Sequence, residues 1–97
     1  MITASRSIYL QDLLSFDLQQ VQSHLRSLHS IERAQESPER FYDETRGIQI
    51  IVHIIDEFLS QQFIRLNTAN RSHLLDLRAI LYSAYQSRLN LLSRFSE

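Results

Sequence analysis

The four histidines are the residues of this sequence that could most readily bind a metal ion or transfer a proton. His24 and His29 are five residues apart, so on a helix their side chains point about 140° away from each other. This spacing does not bring both imidazoles to one metal ion in the usual i, i+4 manner. The sequence contains no cysteine, which excludes thiolate metal sites, disulfides and a cysteine nucleophile.

His53 is followed by carboxylates three and four residues later, at Asp56 and Glu57. This spacing could build a metal site or an acid–base pair, but it is also the spacing of an ordinary surface hydrogen bond. A helical wheel places His53 away from the apolar stripe, which favours the surface hydrogen bond. His73 is expected to be exposed in the first turn of a later helix. We therefore predict no catalytic, cofactor-binding or metal-binding residues, and a protein that is not an enzyme.

Nucleic-acid binding is an alternative function that the arginines leave open. All ten cationic residues are arginine, and the chain is lysine-free. Residues 65–97 hold five arginines against two acidic residues, and Arg71 and Arg78 would share one helix face near Tyr82. However, the net charge is −1, and no turn followed by a short recognition helix is evident. A nucleic-acid-binding helical regulator is therefore an alternative and not the first hypothesis.

Composition predicts a single all-α domain. Hydrophobic residues make up 43% of the 97 residues, as in globular proteins, and one glycine and one proline leave few turns for a β-fold. This length fits one domain over residues 1–97. No apolar run reaches the ~20 residues of a membrane span. The first residues lack the pattern of a signal peptide, so we expect a cytoplasmic protein that does not contact a membrane.

The periodicity of apolar residues predicts an elongated three-helix bundle that runs up, down and up, with helices over residues 8–35, 38–66 and 70–95. In the first helix, apolar residues recur every three or four positions from Leu10 to Leu28. Residues 15–17 could divide this segment, with Ser15 as the second cap, but we favour one helix. The turn before Pro38 is clear, because proline is well tolerated at the first helical position.

A weaker break, at residues 66–70, separates the second and third helices. It contains asparagine and threonine, which favour helix caps, but neither glycine nor proline. Either Thr68 or Asn70 could therefore start the third helix. If the break fails, the second and third helices are continuous and need a partner chain.

The second helix carries more apolar surface than one stripe. Its main stripe is expected to form the core and comprises Phe41, Ile48, Val52, Ile55, Leu59, Phe63 and Leu66. Beside it lies a second apolar face, formed by Ile50, Ile51, Ile54 and Phe58. Because apolar residues cover more than half of the circumference, we expect this helix to be the central one. The second face could be covered by Leu13 and Phe16, or by another chain.

A short motif near the second break resembles a known family. The residues are Leu59, Arg65, Leu66, Ala69 and Asn70, followed by a helix of periodic apolar residues. This pattern is similar to the late-helix segment of flagellar export chaperones of the flagellin-binding type. It departs from the family at the tyrosine pair, where Ser60 and Gln62 stand here, and at the terminal tryptophan. The resemblance implies a small cytoplasmic helical bundle that wraps the helical end of a secreted subunit.

The leading hypothesis is a non-catalytic protein–protein interaction module: an adaptor, inhibitor or chaperone-like protein that binds a partner or itself by helix packing. We predict the second apolar face as its interface, first in a homodimer and second with the helix of a partner protein. A secretion-type or flagellar-export-type chaperone and a nucleic-acid-binding regulator are the alternatives. No cofactor or small-molecule substrate is expected.

Overall fold

Five α-helices form the described part of the protein. The computed structural model describes residues 10–61 and 65–95, and no strand occurs within these ranges. The helices are α1 Leu10–Leu14, α2 Leu18–Leu28, α3 Ile31–Glu36, α4 Pro38–Ser60 and α5 Thr68–Phe95. The all-α class that composition and periodicity predict is confirmed.

The chain runs up, down and up through three arms, which are α1–α3, α4 and α5. The helices α4 and α5 are antiparallel, because Asp56 meets Arg78 whereas Phe41, earlier on α4, meets Arg88, later on α5. The first arm runs parallel to α5, with α1 beside its early turns and the end of α2 beside its late turns. The molecule measures 45 × 33 × 20 Å, so its thinnest dimension holds about two layers of helices. The elongated up-down-up arrangement agrees with the prediction.

The first arm is not the single helix predicted over residues 8–35, of which residues 8 and 9 lie outside the described chain. Asp17 caps α2, because its carboxylate accepts hydrogen bonds from two backbone N–H groups at 3.0 and 3.1 Å. Ser30 caps α3 by accepting from the backbone N–H of Arg33 at 3.0 Å. Each cap satisfies N–H groups that a helix start leaves unpaired, so each one stabilises a new start. A break does occur at residues 15–17, but its cap is Asp17 and not Ser15.

The other two helices differ from the prediction at their facing ends. The helix α4 begins at Pro38, as predicted, but ends at Ser60 and not near residue 66. Asn67 precedes α5 and accepts a hydrogen bond from the backbone N–H of Asn70 at 2.7 Å, so α5 begins at Thr68. The side chain of Asn67 thus performs the capping that we expected of Thr68 or Asn70. The helices α4 and α5 are separate, and residues 62–64 between them are not described.

The central helix is α5, which packs against all four other helices, so the expectation that the second helix is central was wrong. The reason is that α5 lies between the first arm and α4, whereas α4 packs mainly against α5 and α3. The main core consists of Leu13, Ile48, Val52, Ile55, Leu74, Leu77 and Leu81. A smaller core joins α3, α4 and α5 through Ala34, Phe41 and Leu91.

The predicted stripe of α4 faces the protein interior. Its members Phe41, Ile48, Val52 and Ile55 are buried, Leu59 and Leu66 are partly buried, and Phe63 lies outside the described residues. Leu13 is fully buried in the main core, whereas Phe16 is 43% exposed, so Phe16 does not join the core as Leu13 does. None of the helices in the described ranges combines the length and the apolar character that crossing a lipid bilayer requires.

Candidate interaction surface

The outer face of α4, formed by Ile50, Ile51, Ile54 and Phe58, adjoins the buried side of this helix. Ile51, Ile54 and Phe58 are partly buried and pack against the main core. In contrast, Ile50 exposes 51% of its surface. The face is therefore attached to the core along one edge and open to solvent along the other. Its role as an interface stays a prediction.

Two charged side chains bracket the isoleucines Ile50 and Ile54 of the outer face of α4. Arg46 lies about one turn before Ile50, and Glu57 lies about one turn after Ile54. Both are exposed, and neither forms an ion pair with another described residue. Their charges are therefore available to a group outside the described chain.

Gly47 lies beside Arg46 in the middle of α4. Apart from its chain neighbours and the adjacent backbone of α4 itself, a Cβ atom at this position would meet no atom within 4 Å, so no tertiary contact inside the described chain requires a glycine. Glycine in a helix interior costs about 0.5–1 kcal/mol relative to alanine. Within residues 10–61 and 65–95, no packing contact compensates for that cost.

A buried arginine, Arg88, joins α5 to α2 and α4. Its side chain is 1% exposed. Its Nη1 donates to the carbonyl of Phe41 at 3.3 Å, to Thr45 Oγ1 at 3.3 Å and to Glu44 Oε1 at 3.4 Å. Its Nη2 donates to the same carboxylate oxygen at 3.4 Å and to the carbonyl of Leu28 at 3.5 Å. The guanidinium also lies over the ring of Phe41, with Cζ 4.2 Å from the ring centroid.

Glu44 is shared by three arginines. Besides Arg88, it pairs with Arg33 at 3.2 Å and with Arg40 at 3.8 Å. Burial lowers the pKa of Arg88, and the charge of Glu44 opposes this shift. The carboxylate is therefore the main electrostatic compensation of the buried guanidinium. Glu44 and its three arginines therefore join α3, α4 and α5.

Sequence reasoning missed Arg88, although the pattern contained a signal for it. In α5, apolar residues recur at the spacing of one helix face, at Leu74, Leu77, Leu81, Tyr85, Leu92 and Phe95. Arg88 comes three residues after Tyr85 and four residues before Leu92, which is the position that the stripe leaves vacant. A charged residue at an otherwise apolar position indicates a buried, paired side chain.

Of the two arginines predicted to share one face of α5, Arg71 and Arg78, the second is engaged by other side chains. The guanidinium of Arg78 binds the carboxylate of Asp56 on α4, with Nη2 donating to Oδ2 at 3.2 Å. It also lies 5.4 Å from the ring centroid of Tyr82, whose hydroxyl accepts from Gln86 at 3.0 Å. Because Arg78 is paired in this way, only Arg71 of the predicted pair stays without an ion pair among the described residues.

The residues that resemble flagellar export chaperones lie around the break between α4 and α5. Leu59 and Leu66 pack against the main core, and Ala69 is exposed in the first turn of α5. Gln62 lies outside the described residues. No protein-family model, curated protein or solved structure matches this chain. The chaperone function stays a prediction.

The histidines do not converge. His24, His29 and His53 are exposed. His73 is half-buried and not exposed as expected, with Nε2 3.2 Å from the carbonyl oxygen of Leu13. This contact joins α5 to the end of α1. Within residues 10–61 and 65–95, no group of three or more histidines and acidic residues is arranged to hold a metal ion.

A groove of about 280 Å³ runs between α2 and α5. Leu25 and Ile80 contribute apolar surface to it, and Arg26, His29 and Arg88 contribute polar surface. The guanidinium of Arg88 is saturated at both terminal nitrogens by protein acceptors, and its Nε is buried. The accessible polar groups of the groove are therefore exposed side chains of α2, α5 and the residue that ends α2, namely Gln22, Arg26, His29, Ser83 and Ser87.

Proposed function

We propose that the protein is a non-catalytic interaction module that packs the outer face of α4 against another helix, and that its first partner is a second copy of the same chain. The observation that carries this proposal is the half-exposed side chain of Ile50 on a face whose other members are partly buried. Removing apolar surface from water favours association by about 25 cal/mol per Å². Adaptors, inhibitors and chaperone-like proteins all use such faces. The cytoplasmic location expected from the sequence stays a prediction.

The outer face of α4 differs from the other exposed hydrophobic residues. Ile31 on α3 and Leu75 on α5 are each 48% exposed, but single exposed hydrophobic residues are common on soluble proteins. Ile50 is instead continuous with three further apolar side chains on one helix, and continuous apolar surface is typical of interaction sites. This continuity supports α4 as the binding element.

The proposal is tested by sedimentation velocity of the wild type and of Ile50→Asp over a range of micromolar concentrations. We expect the wild type to sediment as more than a monomer and Ile50→Asp to sediment as a monomer with an unchanged helical circular dichroism spectrum. Ile50 is a better site for this test than Ile54, because Ile54 also packs against the main core.

Ile31→Asp is the matched control. It makes the same chemical change at a residue of similar exposure on another helix, and we expect it to leave the sedimentation unchanged. A wild type that stays monomeric at every concentration contradicts the proposal. The same holds if Ile31→Asp dissociates the assembly and Ile50→Asp does not.

A further inference from the structure

We infer that two copies of the chain pack their α4 helices antiparallel about a two-fold axis, with Arg46 of each copy beside Glu57 of the other. This inference rests on the proposed self-association and adds its geometry. A two-fold axis requires a surface that complements itself when it is reversed. The outer side of α4 has this property in both its apolar residues and its charges.

The order of side chains along α4 is the first argument. Arg46, Ile50, Ile54 and Glu57 follow one another at steps of four, four and three residues, which keeps them on one side of the helix. Along the helix the order is therefore cation, apolar, apolar, anion. A reversed second helix presents anion, apolar, apolar, cation, so each cation meets an anion and the isoleucines meet each other.

The register is the second argument. The midpoint between Ile50 and Ile54 and the midpoint between Arg46 and Glu57 coincide to within about one residue, or about 1.5 Å along the helix. One two-fold axis therefore aligns the apolar contact and both ion pairs together. In a parallel pair of helices, Arg46 would face Arg46 and Glu57 would face Glu57. The charges thus favour the antiparallel arrangement and oppose the parallel one.

The remaining residues on this side of α4 are compatible with the same register. Asp43, which is exposed, would lie opposite Gln61 of the second copy, so it meets no like charge. Gly47 would lie opposite Glu57 of the second copy, where the absence of a side chain permits close approach of the helices. This contact would account for a glycine that no contact within the described chain explains.

Charge reversal tests the inference. We expect Arg46→Glu and Glu57→Arg each to weaken self-association by roughly tenfold, because each replaces two attractive pairs by two repulsive ones. The double variant in one chain restores opposite charges at both sites and should recover the wild-type dissociation constant. Arg71→Glu is the control, since Arg71 is also exposed and forms no ion pair among the described residues; it should have no effect.

Distance measurement provides an independent test. The chain has no cysteine, so Ser60→Cys carries a single spin label per copy. In the antiparallel pair, Ser60 lies opposite Glu44 of the second copy, which separates the labels by about 24 Å along the helix axis at 1.5 Å per residue. In a parallel pair the labels would be separated only by the interaxial distance of about 10 Å.

The outcomes distinguish this inference from the proposed function. Suppose that Ile50→Asp dissociates the assembly, but that the double charge variant does not regain the wild-type dissociation constant or that the labels lie about 10 Å apart. The antiparallel arrangement is then overturned, and the α4 interface stands. If the wild type is monomeric throughout, both are overturned. Recovery by the double variant together with the longer label distance supports the inference.

Discussion

Glu44→Gln is expected to destabilise the protein more than Arg88→Met does, although both remove the same ion pair. Glu44→Gln leaves the guanidinium of Arg88 buried, with no carboxylate to balance its charge. Arg88→Met instead removes the buried charge and keeps a side chain of similar length in the site. Glu44, which is 26% exposed, would retain Arg33 and water as partners.

The expected magnitudes follow from this asymmetry. Isolating one charge of a buried pair typically costs 3–5 kcal/mol, whereas replacing the buried charge by an apolar side chain often costs little. Arg88 would keep the carbonyls of Leu28 and Phe41 as acceptors. We therefore expect Glu44→Gln to lower the free energy of unfolding by about 3 kcal/mol, near the lower end of this range. Arg88→Met leaves those carbonyls and Thr45 with one donor fewer, at a cost of about 1 kcal/mol.

The assay is urea unfolding followed by far-ultraviolet circular dichroism, with thermal unfolding as a second measure. For a domain of about 100 residues, 1 kcal/mol corresponds to about 4–8 °C in Tm, so Glu44→Gln should lower Tm by more than 10 °C. All variants are made in the Ile50→Asp background, so that self-association does not contribute to the measured stability. Arg40→Gln is the control, because its contact with Glu44 is long and its side chain is 76% exposed.

An Arg88→Met variant that is destabilised at least as much as Glu44→Gln would contradict this expectation. Such a result would mean that the hydrogen bonds of Arg88 to the three carbonyl and hydroxyl acceptors outweigh the charge effect. A change of less than about 0.5 kcal/mol for Glu44→Gln would equally show that Arg88 is solvated in solution.

Two further predictions concern the helices themselves. Asp17→Ala should lower the free energy of unfolding by about 1 kcal/mol, because it removes the cap of α2. Ser15→Ala is the control and should change the free energy of unfolding little. If the two variants have equal effects in urea unfolding, Asp17 is not the cap. Gly47→Ala should stabilise the Ile50→Asp monomer by about 0.5–1 kcal/mol, because its Cβ meets open space, and in the wild type it should weaken self-association. If Gly47→Ala lowers the stability of the monomer in urea unfolding, the expected stabilisation is contradicted. If it leaves the sedimentation of the wild type unchanged, the expected loss of self-association is contradicted.

Periodicity predicted the long helices α4 and α5 well, because the apolar residues that repeat at helical spacing are also the residues that pack in the core. The stripe from Ile48 to Ile55 and the stripe from Leu74 to Leu81 lie in the main core. The first arm is different. From Leu10 to Leu28 the same spacing continues across the break before α2, so periodicity alone cannot show that the side chain of Asp17 starts a new helix.

The candidate surface could be predicted only in part, for a physical reason. The wheel identified the apolar face that contains Ile50 and Ile54, but it could not say how much of each member is exposed, because exposure depends on how the other helices pack. Arg88 was missed because a pattern of apolar residues counts arginine as a surface residue, whereas its burial depends on acceptors from two other helices.

The placement of Arg88 also has a consequence for how the protein unfolds. Its acceptors come from the end of α2 and from α4, while the arginine itself belongs to α5. Burying the guanidinium costs little free energy only when α2, α4 and α5 are all assembled, because only then are all of its hydrogen-bond acceptors in place. In a state with one of these helices detached, the charge would stay partly buried and would lose some of those acceptors. The buried arginine therefore acts as a source of cooperativity, by which the three arms unfold together.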